Sequence, residues 1–207
     1  MMDRFIVTIG REFGSAGKEI GRELAWYLGV EYYDKTKIAE LSKKYGVFDE
    51  EINNVDESVN ARSKGLFKGA FNRKNAEKYD SMIDAQTRVI EELADRESCV
   101  IIGRCADYVL RDRDNVLNVF IYAPYDLRTK RIMDLYGFTK AQTEKIVKKI
   151  DNQRHEYYKY VTGKQRGDMH GKDILIDSSL FGLKGTAEIL FEVTKKRFGL
   201  DIPAKII

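Results

Sequence analysis

Apolar positions recur along this chain in two rhythms, and the changes from one to the other mark its elements. Phe5-Ile6-Val7-Thr8-Ile9 is a short run rich in β-branched residues closed by Gly10, which predicts a buried strand. Beyond a glycine-bearing loop, Ile20, Leu24, Tyr27 and Leu28 recur at helical spacing until Gly29, predicting a helix that begins near Gly17. Val30 to Tyr33 predicts a second strand with Asp34 at its carboxyl end, and Ile38, Leu41 and Tyr45 a second helix. Tyr79, Met82, Ile83, Gln86, Val89, Ile90 and Leu93 trace a third, strongly amphipathic helix. Cys99-Val100-Ile101-Ile102 and Val116 to Tyr122 are continuous apolar runs separated by the turn-rich stretch Arg111 to Asn115. They read as parallel strands buried on both faces.

The remaining pattern continues the alternation. A helix between Pro124 and Tyr136 carries Arg128 and Arg131 on neighbouring positions of one face. Thr139 with Gln142 forms a capping-box signature that opens a long helix with Ile146, Ile150 and Tyr157 on its apolar side. Asp173 to Asp177 is a last strand, and Ala187, Leu190, Phe191, Thr194 and Phe198 line the face of a final helix. Strands alternating with helices predict an α/β class with a parallel sheet flanked by helices in three layers. From about Asn53 to Lys78 the periodicity lapses, and Arg62, Lys64, Lys68, Arg73, Lys74 and Lys78 interleave with Phe67 and Phe71. This segment reads as a solvated, partly helical excursion that meets an anionic ligand.

Composition narrows the function classes. A chain of 207 residues with 43% hydrophobic residues has material for one mid-sized core, which excludes wholesale disorder. The 36 Lys and Arg against 33 Asp and Glu leave +3, too weak a field to make nucleic acid the expected partner. The two prolines, Pro124 and Pro203, leave long helical stretches without kinks. Cys99 and Cys105, six residues apart, are expected as reduced thiols, with Cys99 in the core. The amino terminus lacks an apolar leader pattern, and no run approaches the ~20 apolar residues that span a bilayer. Cytoplasmic residence without a membrane partner is the expectation.

The sharpest chemical feature is Gly10-Arg11-Glu12-Phe13-Gly14-Ser15-Ala16-Gly17-Lys18-Glu19, placed between the first strand and the first helix. Small residues let backbone N–H groups approach an anion, the helix start adds partial positive charge, and Lys18 supplies a full cation for β and γ phosphates. The loop departs from a Walker A pattern, with Glu12 at the first glycine position and Glu19 at the magnesium-binding hydroxyl position. Without a phosphate ligand, the same glycines serve a tight strand-to-helix turn and Glu19 a helix dipole. His155 and His170 have no metal-ligand spacing. Tyr157, Tyr158 and Tyr160 suit either base stacking or packing on the sheet, and Asp177 either a hydrogen bond near a nucleotide or a strand end.

With these residues the chain resembles the cytidylate kinase-like family of P-loop kinases. The likeness rests on Ile9 to Gly21, Tyr32-Tyr33-Asp34-Lys35, Ile101-Ile102-Gly103-Arg104, Phe120 to Pro124, Tyr157 to Lys164 and Ile176-Asp177-Ser178-Ser179. The resemblance implies that Gly14, Ser15, Ala16, Gly17, Lys18 and Glu19 bind the triphosphate of ATP. It implies that Asp34 and Arg104 meet the acceptor and that Lys18, Arg131 and Arg154 act on the transferring phosphoryl group, Arg128 being a weaker match. Cys105 stands where the family's Gly-Arg-Asp stretch has its acid. The implied activity is ATP- and Mg2+-dependent phosphorylation of a nucleoside monophosphate, CMP first. The alternatives are a nucleotide-sensing module and a kinase for another small phosphorylated or hydroxyl metabolite. The implied division is a core of residues 1–50, 79–136 and 171–207, an acceptor-binding insertion near 51–78 and a lid near 137–170. Metal ligands and oligomeric state are left open.

Overall fold

A computed structural model of the protein describes residues 4–46 and 73–203. The expected insertion lies outside the described residues over 51–72.

Five strands form one parallel sheet in the order β2-β3-β1-β4-β5. They are β1 (Ile6–Arg11), β2 (Glu31–Tyr33), β3 (Cys99–Ile102), β4 (Val116–Tyr122) and β5 (Ile174–Asp177). The helices are α1 (Gly17–Leu28), α2 (Lys35–Ser42) with a following 3₁₀ turn (Lys43–Tyr45), α3 (Arg73–Arg96), α4 (Ala106–Val109), α5 (Tyr125–Tyr136), α6 (Lys140–Thr162) and α7 (Ser178–Phe198). Consecutive side chains of β3 divide between the two faces as the pleat requires. Val100 and Ile102 join Ile20 and Leu24 of α1 and Leu190 of α7, whereas Cys99 and Ile101 join Ile38 of α2 and Ile90 and Leu93 of α3. The central strand β1 is buried at nearly every position because helices cover both of its faces. Its buried Thr8 hydroxyl donates to Asn118 Oδ1 at 2.6 Å, directly opposite on β4.

A third, smaller apolar cluster places the site. Phe13 from the loop after β1 packs with Ile132 of α5 and Val147 and Ile150 of α6, so both helices rest on the same loop. The capping box of α6 forms as read, with Thr139 accepting from the Gln142 backbone and the Gln142 side chain accepting from Thr139 N–H.

Several boundaries differ from the sequence reading. Strand β1 runs from Ile6 through Gly10 to Arg11 where that reading has Phe5 to Ile9, and β5 begins at Ile174 where it has Asp173. Val30 is not in β2, because its N–H closes the end of α1 on Ala25 O at 3.0 Å. Helix α3 begins at Arg73, so residues 73–78 of the expected excursion are helical backbone. Helix α7 starts at Ser178, directly after β5, and kinks at Gly182, where φ is 67° and ψ is −173°.

Leu24 is fully buried between α1 and the sheet. Leu24→Ala is expected to lower unfolding free energy by about 2–5 kcal/mol through lost transfer energy and the cavity left behind. Urea unfolding checks it, as a lower midpoint at unchanged slope.

Candidate active site

Two clefts open at the carboxyl ends of the central strands, where open α/β sheets place ligands. The first surrounds the loop between β1 and α1. Gly14 (φ 85°) and Ala16 (φ 60°) both take left-handed backbone there. A Cβ on Gly14 would sit 2.9 Å from Arg128 O, so the glycine is required by space as well as by conformation. Ala16 carries backbone strain of about 1 kcal/mol, which persists where the surroundings over-determine the turn. Ser15 provides that determination. Its hydroxyl donates to Glu12 O at 2.9 Å and Ile121 O at 3.2 Å, while Ser178 Oγ donates to Ser15 O at 2.7 Å. Ser15 therefore fastens the loop to the sheet, and Gly14, Ala16, Gly17, Lys18 and Glu19 line a cleft of about 300 Å3.

Carboxylates hold two of the cations at this cleft. Lys18 Nζ is 2.9 Å from Asp34 Oδ2, and Arg131 Nη2 on α5 donates to Glu19 Oε1 at 3.3 Å. Asp34 also caps α2, accepting from Thr36 N–H at 3.0 Å and Lys37 N–H at 3.2 Å. Burial by itself would raise the Asp34 pKa, but the Lys18 ammonium and the two amides outweigh it and hold the carboxyl below its ordinary value. Arg154 on α6 donates Nη1 to Arg11 O at 3.4 Å and lies 5.5 Å from the Phe13 ring centroid. Arg128 is different: its buried guanidinium pairs with Glu12 at 3.1 Å and Asp151 at 2.7 Å, a structural role that keeps it from the cleft.

The second cleft, narrow at about 50 Å3, lies at the end of β3. Gly103, Arg104 and Cys105 adopt φ of 72°, 53° and 54°, three consecutive left-handed residues. A Cβ on Gly103 would come within 2.3 Å of Arg11 Nη1, so that guanidinium occupies the space beside the turn. Arg104 lies 5.2 Å from the Tyr157 ring centroid, a cation–π arrangement that holds the head at the cleft. Asp107 on α4 accepts from Tyr158 OH at 2.9 Å and is ion-paired with Lys172. Arg11 and Arg154 line both clefts.

The expected residues thus divide into two groups. Lys18, Arg131 and Arg154 converge on the first cleft, Arg104 and again Arg154 on the second, and Asp34 reaches the first through Lys18. Arg11, Arg166, Lys172 and Asp107 line the second cleft without having been singled out. Arg11 carried one available signal, since it ends the buried strand β1 much as Arg104 follows β3; the others lie in segments without periodicity. The tyrosines tie α6 to its neighbours rather than to the sheet, with Tyr157 OH donating to Gln86 at 3.2 Å and Tyr160 OH to Asp80 at 2.6 Å. Asp177 caps α7, accepting from Ser179 N–H at 2.9 Å, and His170 is exposed beside Asp168. Both cysteines are buried and outside any disulfide, and burial pushes the Cys99 thiol up to about 12, so it stays protonated. Among the described residues no group of three or more His, Cys, Asp and Glu is placed to hold a metal, and no helix is long and apolar enough to cross a membrane.

Comparison with known proteins gives this arrangement relatives. Residues 6–180 match the cytidylate kinase-like family. A cytidylate kinase of Methanopyrus kandleri is 24% identical over 194 residues, covering 89% of this chain and 90% of its own. Among solved structures, an uncharacterized protein from Eubacterium ventriosum superposes with a TM-score of 0.71 at 24% identity over 93% of this chain and 99% of its own. The shikimate kinase of Acinetobacter baumannii, in complex with shikimate, superposes at 0.51 with 16% identity over 94% and 95%. The fold is that of the P-loop kinases.

The depressed Asp34 pKa makes the Lys18 pair pH-dependent. A carboxyl lowered in the folded state contributes stability above its unfolded pKa of about 3.9, and that contribution is lost as pH falls through the folded value. Asp34→Asn keeps a helix-capping acceptor but removes the charge. The variant should be less stable than wild type by about 1 kcal/mol or less at neutral pH, the gap narrowing below about pH 4. Urea unfolding of both proteins across that range measures it.

Proposed function

The chain belongs to the cytidylate kinase-like family, and from that membership and the paired clefts we propose that it transfers the γ-phosphoryl group of ATP to a nucleoside monophosphate, CMP being the first candidate. The observation that carries the reading is the sharing of Arg11 and Arg154 between the two clefts. A phosphoryl group passing from one bound substrate to another needs cations at the junction, because charge spreads over its equatorial oxygens while both ends stay anionic.

In this reading the loop from Gly14 to Lys18 holds the donor triphosphate through its amides and the start of α1. Lys18 exchanges Asp34 for the β and γ phosphates, and Arg131 exchanges Glu19 for the transferring group. Arg104 holds the acceptor phosphate, an oxygen of which attacks the γ phosphorus in line. The new P–O bond forms as the bond to the β–γ bridging oxygen breaks, and the electron pair leaves with ADP. Arg154 accompanies the group across. The segment near 51–78 contributes to acceptor binding, and the segment near 137–170, which carries Arg154, closes over the site as a lid.

Kinase magnesium is held through one or two carboxylates together with substrate phosphates. Glu19, next to Lys18 in the chain, and Asp34, paired with Lys18, would be the carboxylates that hold the ion. When bound, magnesium neutralises charge on the donor phosphates.

A second reading, a nucleotide-sensing module, draws on the same pairs, since Asp34 and Glu19 hold the two cations that catalysis needs. A panel of nucleoside monophosphates with ATP in a coupled ADP-release assay separates the two. Turnover is expected with at least one acceptor, and Lys18→Ala should lower kcat on the order of 10²-fold. ATP binding by calorimetry without turnover of any acceptor would favour the sensor; absence of both would remove both readings.

A further inference from the structure

Arg166, in the loop between α6 and β5, has one amino group partnered and the other not. Its Nη2 donates to Asp151 Oδ1 at 3.0 Å, and its guanidinium lies 6.0 Å from the Phe120 ring centroid. Its second amino nitrogen, Nη1, is buried with no hydrogen-bond partner among the described residues. A buried charged donor left unsatisfied is costly, and such a group in a native fold calls for a ligand or another specific cause.

Arg166 lines the second cleft together with Arg11, Arg104, Arg154 and Lys172. The acid lining that cleft, Asp107, is already engaged by Lys172 and Tyr158. The excess positive charge matches a compact group bearing more than one negative charge, and a guanidinium with one free edge suits a phosphoryl oxygen.

Asp151 accounts for the aim of Arg166. One oxygen accepts from Phe13 N–H at 2.9 Å as well as from Arg166, and the other accepts from Arg128 Nη1 at 2.7 Å. Arg128 Nη1 also donates to Phe13 O at 2.9 Å, so both backbone polar groups of Phe13 are clasped by this pair. Glu12 at the first cleft, Arg128, Asp151 and Arg166 at the second thus form a chain of alternating charge.

We propose that Arg166 is a further ligand for a phosphoryl group bound in the second cleft, and that Asp151 is the positioning residue which aims it while fixing Phe13 in the loop of the first. The proposal rests on the kinase reading only in identifying that phosphoryl group as the acceptor's.

The test is calorimetric titration of inorganic phosphate into the full chain, with a non-hydrolysable ATP analogue at saturation to occupy the loop. Arg166→Gln should weaken phosphate binding about ten-fold or more, with part recovered in Arg166→Lys. Affinity for the ATP analogue alone should change less than about two-fold, because Arg166 does not line the first cleft. Asp151→Asn should weaken phosphate binding similarly, and the double variant should be no weaker than the weaker single one, as expected of residues acting through one contact. Unchanged phosphate affinity in Arg166→Gln, or none in wild type, overturns the proposal. Additive losses in the double variant overturn the positioning role of Asp151. Should Asp151→Asn fail to fold by circular dichroism, the Arg166 variants still decide the ligand assignment. Phosphate bound through Arg166 in a protein that neither binds the ATP analogue nor turns over any nucleotide would refute the kinase reading and leave this assignment in place.

Discussion

The Arg128 guanidinium sits buried among Glu12, Asp151 and the carbonyl oxygens of Ala123 and Phe13. A cation withdrawn from water this far is sustained only by close opposite charges and filled hydrogen bonds, and removing a partner would leave an uncompensated charge in the interior. Its four partners come from the loop after β1, the end of β4 and α6, while Arg128 itself belongs to α5. The placement of Arg131 and Arg154 at the clefts depends on this one group. Arg131 follows it by one turn on α5, and Arg154 follows Asp151 on α6.

Around that anchor the backbone is strained where the clefts open. Ala16 after β1 and Arg104 and Cys105 after β3 are the non-glycine residues with positive φ among the described residues. All three lie at carboxyl ends of adjacent central strands. Left-handed backbone here turns the chain sharply, so that helix α1 starts at the loop and the Arg104 side chain stands at the cleft instead of continuing the pleat. The strain is sustained by the Ser15 and Ser178 hydrogen bonds on one side and by the buried β1–β3 pairing on the other.

The net charge of +3 conceals the electrostatic organisation. Lys18 with Asp34, Arg131 with Glu19 and Lys172 with Asp107 bring cations to the clefts together with carboxylates that keep them paired. Such pairs limit the cost of gathering like charges. In the proposed function, an anionic ligand enters by exchanging partners, with selectivity set by how well it replaces each carboxylate.

Much of the fold was legible in the amino-acid order, because β-branched runs, helical spacing and capping residues are local statements about backbone. The five strands, the loop ahead of Gly17 and the Thr139 capping box follow from such patterns. The site was legible wherever chemistry coincided with a strand end or a glycine loop, as at Lys18 and Arg104. It was not legible where an arginine's role depends on what lies across the fold. Arg128 and Arg131 are three positions apart on one helix, yet one is buried between Glu12 and Asp151 while the other lines the cleft against Glu19. Arg11 likewise acquires its place beside Gly103, far along the chain, and Arg166 from Asp151 on the preceding helix. The sequence by itself determined the elements, their order and the glycine-bearing loop between β1 and α1. Only the tertiary structure decided which guanidinium groups face the clefts, because backbone propensity is set by neighbours in sequence and the state of a buried charge by neighbours in space.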